Sequence, residues 1–117
     1  MREVSERATE LGHDVEWRAT EHEGTLGEWL LGAGHEGFEA VVINPGALTH
    51  YSYALRDAIE ASGLPAIEVH LSDIEGREEW RRRSVIRDVC AGVVQGRGLE
   101  GYREALELLR TSLAGGQ

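Results

Sequence analysis

The sequence predicts an α/β domain built on a parallel sheet, and two observations carry that expectation. Within residues 39–50, four consecutive apolar residues, Ala40-Val-Val-Ile43, stop abruptly at Asn44-Pro45-Gly46, and a helical pattern starts at about Thr49. An uninterrupted apolar run suits a strand covered on both faces, as the strands of parallel sheets are. The chain also alternates short strand patterns with helical ones, which is the order that parallel pairing requires. Ligands of such domains usually sit just beyond the carboxyl ends of the strands. Asn44, Thr49 and His50 are therefore the first places to look for chemistry.

The elements follow in order. Val4, Ala8 and Leu11 recur at helical spacing, and Gly12 is a plausible stop. Val15, Trp17 and Ala19 alternate with polar residues and predict an edge strand. Leu26, Trp29, Leu30 and Ala33 form the inner face of a second helix, which ends in the glycine-rich residues 32–37. After the apolar strand at 39–44, Ala54, Leu55, Ala58 and Ile59 give the third helix its buried face, with Gly63 and Pro65 closing it. Ala66-Ile-Glu-Val-His70 is the next strand, and Ser72-Asp-Ile-Glu75 has the spacing of a capping box for a short helix through Trp80. Residues 89–94 make the last strand, and Tyr102, Leu106 and Leu109 line a final helix that is expected to fray from 112 onward. Four strands are expected in a single domain spanning residues 1–117.

Composition narrows the function. With 117 residues, 41% of them apolar and 28% charged, the chain is a globular domain with one core. A formal charge of −9 argues against a nucleic-acid or anionic-membrane partner, which needs a basic surface. The Arg81-Arg82-Arg83 cluster is offset locally by Glu75, Glu78 and Glu79. A lone cysteine, Cys90, excludes an internal disulfide and fits a reduced thiol. No apolar run approaches the ~20 residues needed to span a bilayer, and no secretory signal is visible, so the expected location is cytoplasmic.

Glu68 and His70 stand two apart on a strand and so point to the same side, as an oriented acid and imidazole pair would. His22, His50, His70 and Glu68 have none of the compact spacings of a zinc site, and no metal is expected. Gly96-Arg-Gly98-Leu-Glu-Gly101 matches a dinucleotide fingerprint, but no strand with a ribose-binding acid follows it. A turn leading into a helix is the better reading. Asp57 reads on its own as a solvated acid paired with Arg56 or Arg7. The three arginines read as helical partners of Glu78 and Glu79, although one of them reaching back to the strand ends would bind an anion or a polyol.

Several strings together are more specific. Val42-Ile-Asn-Pro-Gly-Ala-Leu-Thr-His50, Ala54-Leu-Arg-Asp57, Ile67-Glu-Val-His-Leu-Ser72 and Arg77-Glu-Glu-Trp-Arg81 resemble type II 3-dehydroquinate dehydratase, as do His22-Glu-Gly24, Glu28-Trp29 and residues 96–102. The resemblance implies a flavodoxin-like parallel sheet with helices on both faces. It also implies removal of water from 3-dehydroquinate to give 3-dehydroshikimate, a shikimate-pathway step that uses no cofactor. By motif, His70 would be the general acid for the C1 hydroxyl and Glu68 its orienting partner. Backbone N–H groups of Leu71 and Ser72 would hold the substrate carboxylate, and Asn44, His50 and Arg81 the ring hydroxyls. Asp57 would act from a neighbouring subunit of a homo-oligomer, a trimer within a dodecamer, and Tyr51 and Tyr53 would sit in an interface.

Two departures from the family pattern stand out. The first, central strand and the lid carrying the catalytic tyrosine have no counterpart, and Tyr51, Tyr53 and Tyr102 do not match that tyrosine's motif. Residues 84–91 also differ from the Ser-Pro-containing stretch of many members. A truncated gene model is expected, with very low turnover by these 117 residues alone. A non-catalytic ligand-binding or scaffold subunit is the alternative.

Overall fold

The computed structural model describes residue 6, residues 9–72 and residues 78–115. Helix α1 spans Glu23–Ala33, strand β1 Val41–Ile43, helix α2 Tyr53–Ser62 and strand β2 Ala66–His70. Helix α3 spans Glu79–Arg82, strand β3 Gly92–Gln95 and helix α4 Glu100–Gly115. Two 3-10 turns, Gly46–His50 and Arg87–Val89, connect them. Glu6, Thr9 and Glu10 are helical and close at Gly12, whose φ is 83° and whose N–H reaches the Thr9 carbonyl at 3.0 Å. The rest of that predicted helix lies outside the described residues.

All the strands run parallel in the order β1-β2-β3, with Val42 beside Ile67 and His70 beside Gln95. Because β2 is paired on both sides and buried throughout, its alternate residues serve two cores. Ile67 and Val69 pack with Val94, Ala105 and Leu109 under α4. Ala66, on the other face, joins Ile43, Leu30, Leu55, Ala58 and Ile59 under α1 and α2. Helices therefore cover both faces, as the α/β reading requires.

Several boundaries differ from expectation: the last strand runs Gly92–Gln95 and not 89–94, because the chain is still in a 3-10 turn at Arg87–Val89. Residues 15–19 form no strand, so the described sheet has three strands and not four. Val15 packs beside Leu106, the Trp17 ring meets Tyr102 edge-on at 5.7 Å, and Arg18 stacks over Trp29 and Phe38. Of the alternating residues only Val15 is partly buried, while Trp17 and Ala19 are exposed, so the segment lies along the surface without the backbone ladder that a strand needs.

The helix expected from Thr49 is instead a 3-10 turn, and α2 proper begins at Tyr53, where Ser52 caps it by accepting the Leu55 N–H at 3.0 Å. Ser52 also donates to Glu23, which ties the starts of α1 and α2 together. Helix α4 spans Glu100–Gly115. The predicted capping box falls largely on residues outside the described part, and α3 starts at Glu79 after Glu78, which makes no side-chain cap.

Candidate active site

The carboxyl end of β2 is held in place by the glycine string that resembled a nucleotide fingerprint. Gly96 donates its N–H to the His70 carbonyl at 3.2 Å, and Gly98 donates to the Leu71 carbonyl at 2.9 Å. Gly98 does so with φ of 55°, a left-handed conformation that glycine adopts without steric cost. A Cβ on Gly101 would come within 3.3 Å of Val69 and 3.4 Å of Val94, so this glycine lets α4 lie close on the sheet. The string is a turn and a helix seat, and it fixes where the strand end stops.

Glu68 and His70 share one face of β2 and meet directly. His70 Nε2 donates to Glu68 Oε2 at 2.5 Å, with Glu68 fully buried and His70 5% exposed. Thr49 Oγ1 donates to the same oxygen at 2.7 Å, and Ser84 Oγ donates to Oε1 at 3.0 Å. Each hydroxyl has one proton and points it at the carboxylate, so the 2.9 Å contact between Thr49 and Ser84 is a by-product of their shared target. Arg87 Nε lies 3.8 Å from Oε1. Burial acts most strongly on the Glu68 carboxyl and pushes its pKa up. The hydrogen bonds from His70, Thr49 and Ser84, with the His70 charge, outweigh burial and hold the pKa below the ordinary 4.5. Glu68 is thus an anion, and an anion at Nε2 fixes the His70 tautomer and leaves Nδ1 as the ring nitrogen for a ligand.

A cleft of about 410 Å³ opens at this edge. His70 lines it, together with Asn44, His50, Leu71, Ser72 and Arg81. Asn44 is oriented by the Gly46 N–H on its Oδ1 and by its own donation to the Tyr102 hydroxyl, both at 3.2 Å. His50 donates from Nδ1 to the Arg83 carbonyl at 2.7 Å and rests edge-on against Trp80 at 5.5 Å, which leaves Nε2 as an acceptor. The Arg81 guanidinium covers the Trp80 ring at 4.7 Å and pairs with Glu78 at 3.3 Å. A smaller pocket of about 250 Å³ adjoins, lined by His50, Glu79, Trp80 and Arg83.

Asp57 is not part of this cleft. It is exposed on α2, and Arg56 turns instead to the Val85 carbonyl at 2.9 Å and to Asp88 at 3.5 Å. Sequence reasoning missed the support around Glu68, namely Ser84 and Arg87, and the Trp80 wall of the cleft. A hydroxyl or guanidinium on a connecting segment has no period to place it, and Trp80 reads in the sequence only as part of a short helix, whereas it is 56% exposed beside the cleft. Cys90 is half-buried, and burial together with the Glu68 charge pushes its thiol up to about 12. No group of three or more His, Cys, Asp or Glu side chains suited to a metal ion occurs among the described residues. Nor is any helix among them long and apolar enough to cross a membrane.

A buried, anionic carboxylate steering an imidazole into a polar cleft defines an α/β protein equipped for proton transfer to or from a small hydroxylated ligand. The chain belongs to the class II dehydroquinase family, whose model, described as "Dehydroquinase class II", matches residues 1–110. It is 53% identical over 100 residues to a 3-dehydroquinate dehydratase of Deinococcus radiodurans, covering 86% of this chain and 70% of that one. It is 54% identical over 104 residues to one of Thermus thermophilus, covering 89% and 70%. Among solved structures, a type II dehydroquinase from Butyrivibrio crossotus superposes with a TM-score of 0.88 at 41% identity, covering 92% of this chain and 75% of that one.

Proposed function

We propose that the chain carries the acid half of a 3-dehydroquinate dehydratase site, with His70 as the general acid. The observation that carries this reading is the 2.5 Å contact of His70 Nε2 with the buried Glu68, which leaves Nδ1 as the ring nitrogen for the cleft. In the reaction a base takes the C2 proton of 3-dehydroquinate, and the released electron pair forms the C1–C2 double bond as the C1–O bond breaks. His70, as imidazolium, delivers its Nδ1 proton to the departing oxygen, so that water leaves and not hydroxide. Glu68 keeps the ring in place throughout. The N–H groups of Leu71 and Ser72 receive the substrate carboxylate at a strand end held by Gly96 and Gly98. Asn44, His50 and Arg81, on three different elements around the cleft, take the ring hydroxyls.

Among the described residues, the lining of the cleft contains no phenol, and the phenol joined to it, Tyr102, is engaged by Asn44. A second reading is a single flavodoxin-like domain that binds the ligand and does not itself turn it over. A cytoplasmic homo-oligomer built on trimers, with Asp57 serving a neighbouring site, fits the exposure of Asp57 and of Tyr51 and Tyr53, which are 61% and 63% exposed. Ultraviolet absorbance of the conjugated enone product separates the two readings. Slow but measurable formation that is lost in His70→Ala supports the acid role. Tight binding of substrate with no product supports the binding role, and a rate unchanged by His70→Ala removes His70 from the mechanism.

A further inference from the structure

Arg87 reaches the acid pair from the turn before β3. Its Nε lies 3.8 Å from Glu68 Oε1, and its Nη2 donates to Gln95 at 3.2 Å. Gln95 is the register partner of His70, so the anchor of the guanidinium stands beside the acid itself. The Arg87 backbone N–H meets Ser84 Oγ at 3.1 Å, and that hydroxyl in turn donates to Glu68. The turn, the guanidinium and the carboxylate are thus set by one small network.

We propose that Arg87 is a positioning residue for the acid: its permanent charge beside Glu68 compensates the buried carboxylate when His70 has given its proton away. The inference rests on the reading of His70 as the acid. With His70 an imidazolium, the charges of Glu68 and His70 sum to zero. Once the Nδ1 proton has gone to the C1 oxygen and the C1–O bond has broken, the pair carries one negative charge at a fully buried position. A bare buried anion is costly, and an imidazole held by that anion alone gives up its proton reluctantly. Arginine cannot lose its charge in a protein, so Arg87 balances Glu68 after the transfer and disfavours the imidazolium before it. The acid becomes stronger while Glu68 stays ionised.

The other groups around His70 do not supply this. Thr49 and Ser84 are neutral hydroxyls, Gln95 is a neutral amide, and the Cys90 thiol, pushed up to about 12, stays neutral. His50 and Arg81 line the cleft on the ligand side, where a bound ligand competes for them. Glu68 is the anion whose charge needs the balance. The Arg87 side chain is 31% exposed, so solvent screens it and the effect is moderate.

The test is an NMR titration of the assigned His70 imidazole in the full 117-residue chain and its variants. In Arg87→Gln the His70 midpoint rises by about half a unit to one unit. Arg87→Lys, which keeps the charge, restores most of the difference, and Gln95→Leu, which removes one bond of the guanidinium, gives at most part of the rise. An unchanged midpoint in a folded Arg87→Gln overturns the proposal, as does Arg87→Lys behaving like Arg87→Gln. Should Arg87→Gln fail to fold, an unchanged midpoint in a folded Arg87→Met is equally decisive. Turnover is read separately. A rate indifferent to His70→Ala would remove the acid role, whereas an unmoved titration would remove Arg87 alone, so the two failures are distinguishable.

Discussion

At the scale of single residues, the energetics of the site concentrate on Glu68. Three side chains donate to its two oxygens, and the removal of a buried acceptor strands their protons. Glu68→Gln keeps the shape but loses the charge, and the expected cost is about 1–3 kcal/mol in urea unfolding. The pH dependence has a definite sign. The Glu68 pKa is lowered in the folded state, so its stabilising contribution is complete above the ordinary 4.5 and is lost as pH falls through the lower folded-state value. Glutamine does not titrate, so the stability gap between wild type and Glu68→Gln should be constant above pH 4.5 and narrow below it. A gap that instead opened on acidification would mean that the native carboxyl is held protonated. The pair itself was legible in the sequence, because two residues separated by one on a strand must share a face. Its supports were not, because Ser84 and Arg87 reach Glu68 through a connection whose path the sequence does not encode as a period.

At the scale of elements, the glycine string shows how a motif can be real and its usual meaning absent. Gly98 is needed for its positive φ, and Gly101 for the room it leaves between α4 and the sheet. Gly98→Ala should lower stability by about 1–2 kcal/mol, the usual cost of a left-handed conformation in an L-residue. It should also weaken substrate binding, because Gly98 secures the Leu71 carbonyl. Gly32 in α1 provides the contrast. A methyl group added there would meet nothing within 4 Å, and its φ is not positive, so Gly32→Ala should be neutral or stabilising by up to about 1 kcal/mol. Equal losses from both substitutions in chemical denaturation would show that backbone conformation is not the cause. Residues 15–19 carry the complementary lesson. Their alternation was mistaken for membership of a sheet, whereas only Val15 is partly buried, beside Leu106, and Trp17 meets Tyr102 from an exposed position.

For the whole molecule, a parallel sheet covered on both faces was legible because the uninterrupted apolar run at 40–43 suits a strand buried on both sides, whereas pairing at the sheet edge was not, because a hydrogen-bond ladder leaves no mark on side-chain pattern. Strand β2 is paired on both sides, and β1 pairs only with β2 among the described residues. The Val41 N–H reaches the Pro65 carbonyl at 3.0 Å. In a parallel ladder, successive residues direct their backbone groups to opposite sides, so the Ile43 N–H also faces β2 and the Val42 N–H faces the other edge. Hydrogen exchange should therefore be slow at Val41 and Ile43 and throughout the amides of Ile67 to Val69, and fast at Val42 if that edge meets solvent. Protection of Val42 equal to that of Val41 would mean that another strand covers the edge, from this chain's surroundings or from a second copy. An open edge is also a template for association. Fast exchange at Val42 should then slow as protein concentration rises if copies pair there, and stay constant if they do not.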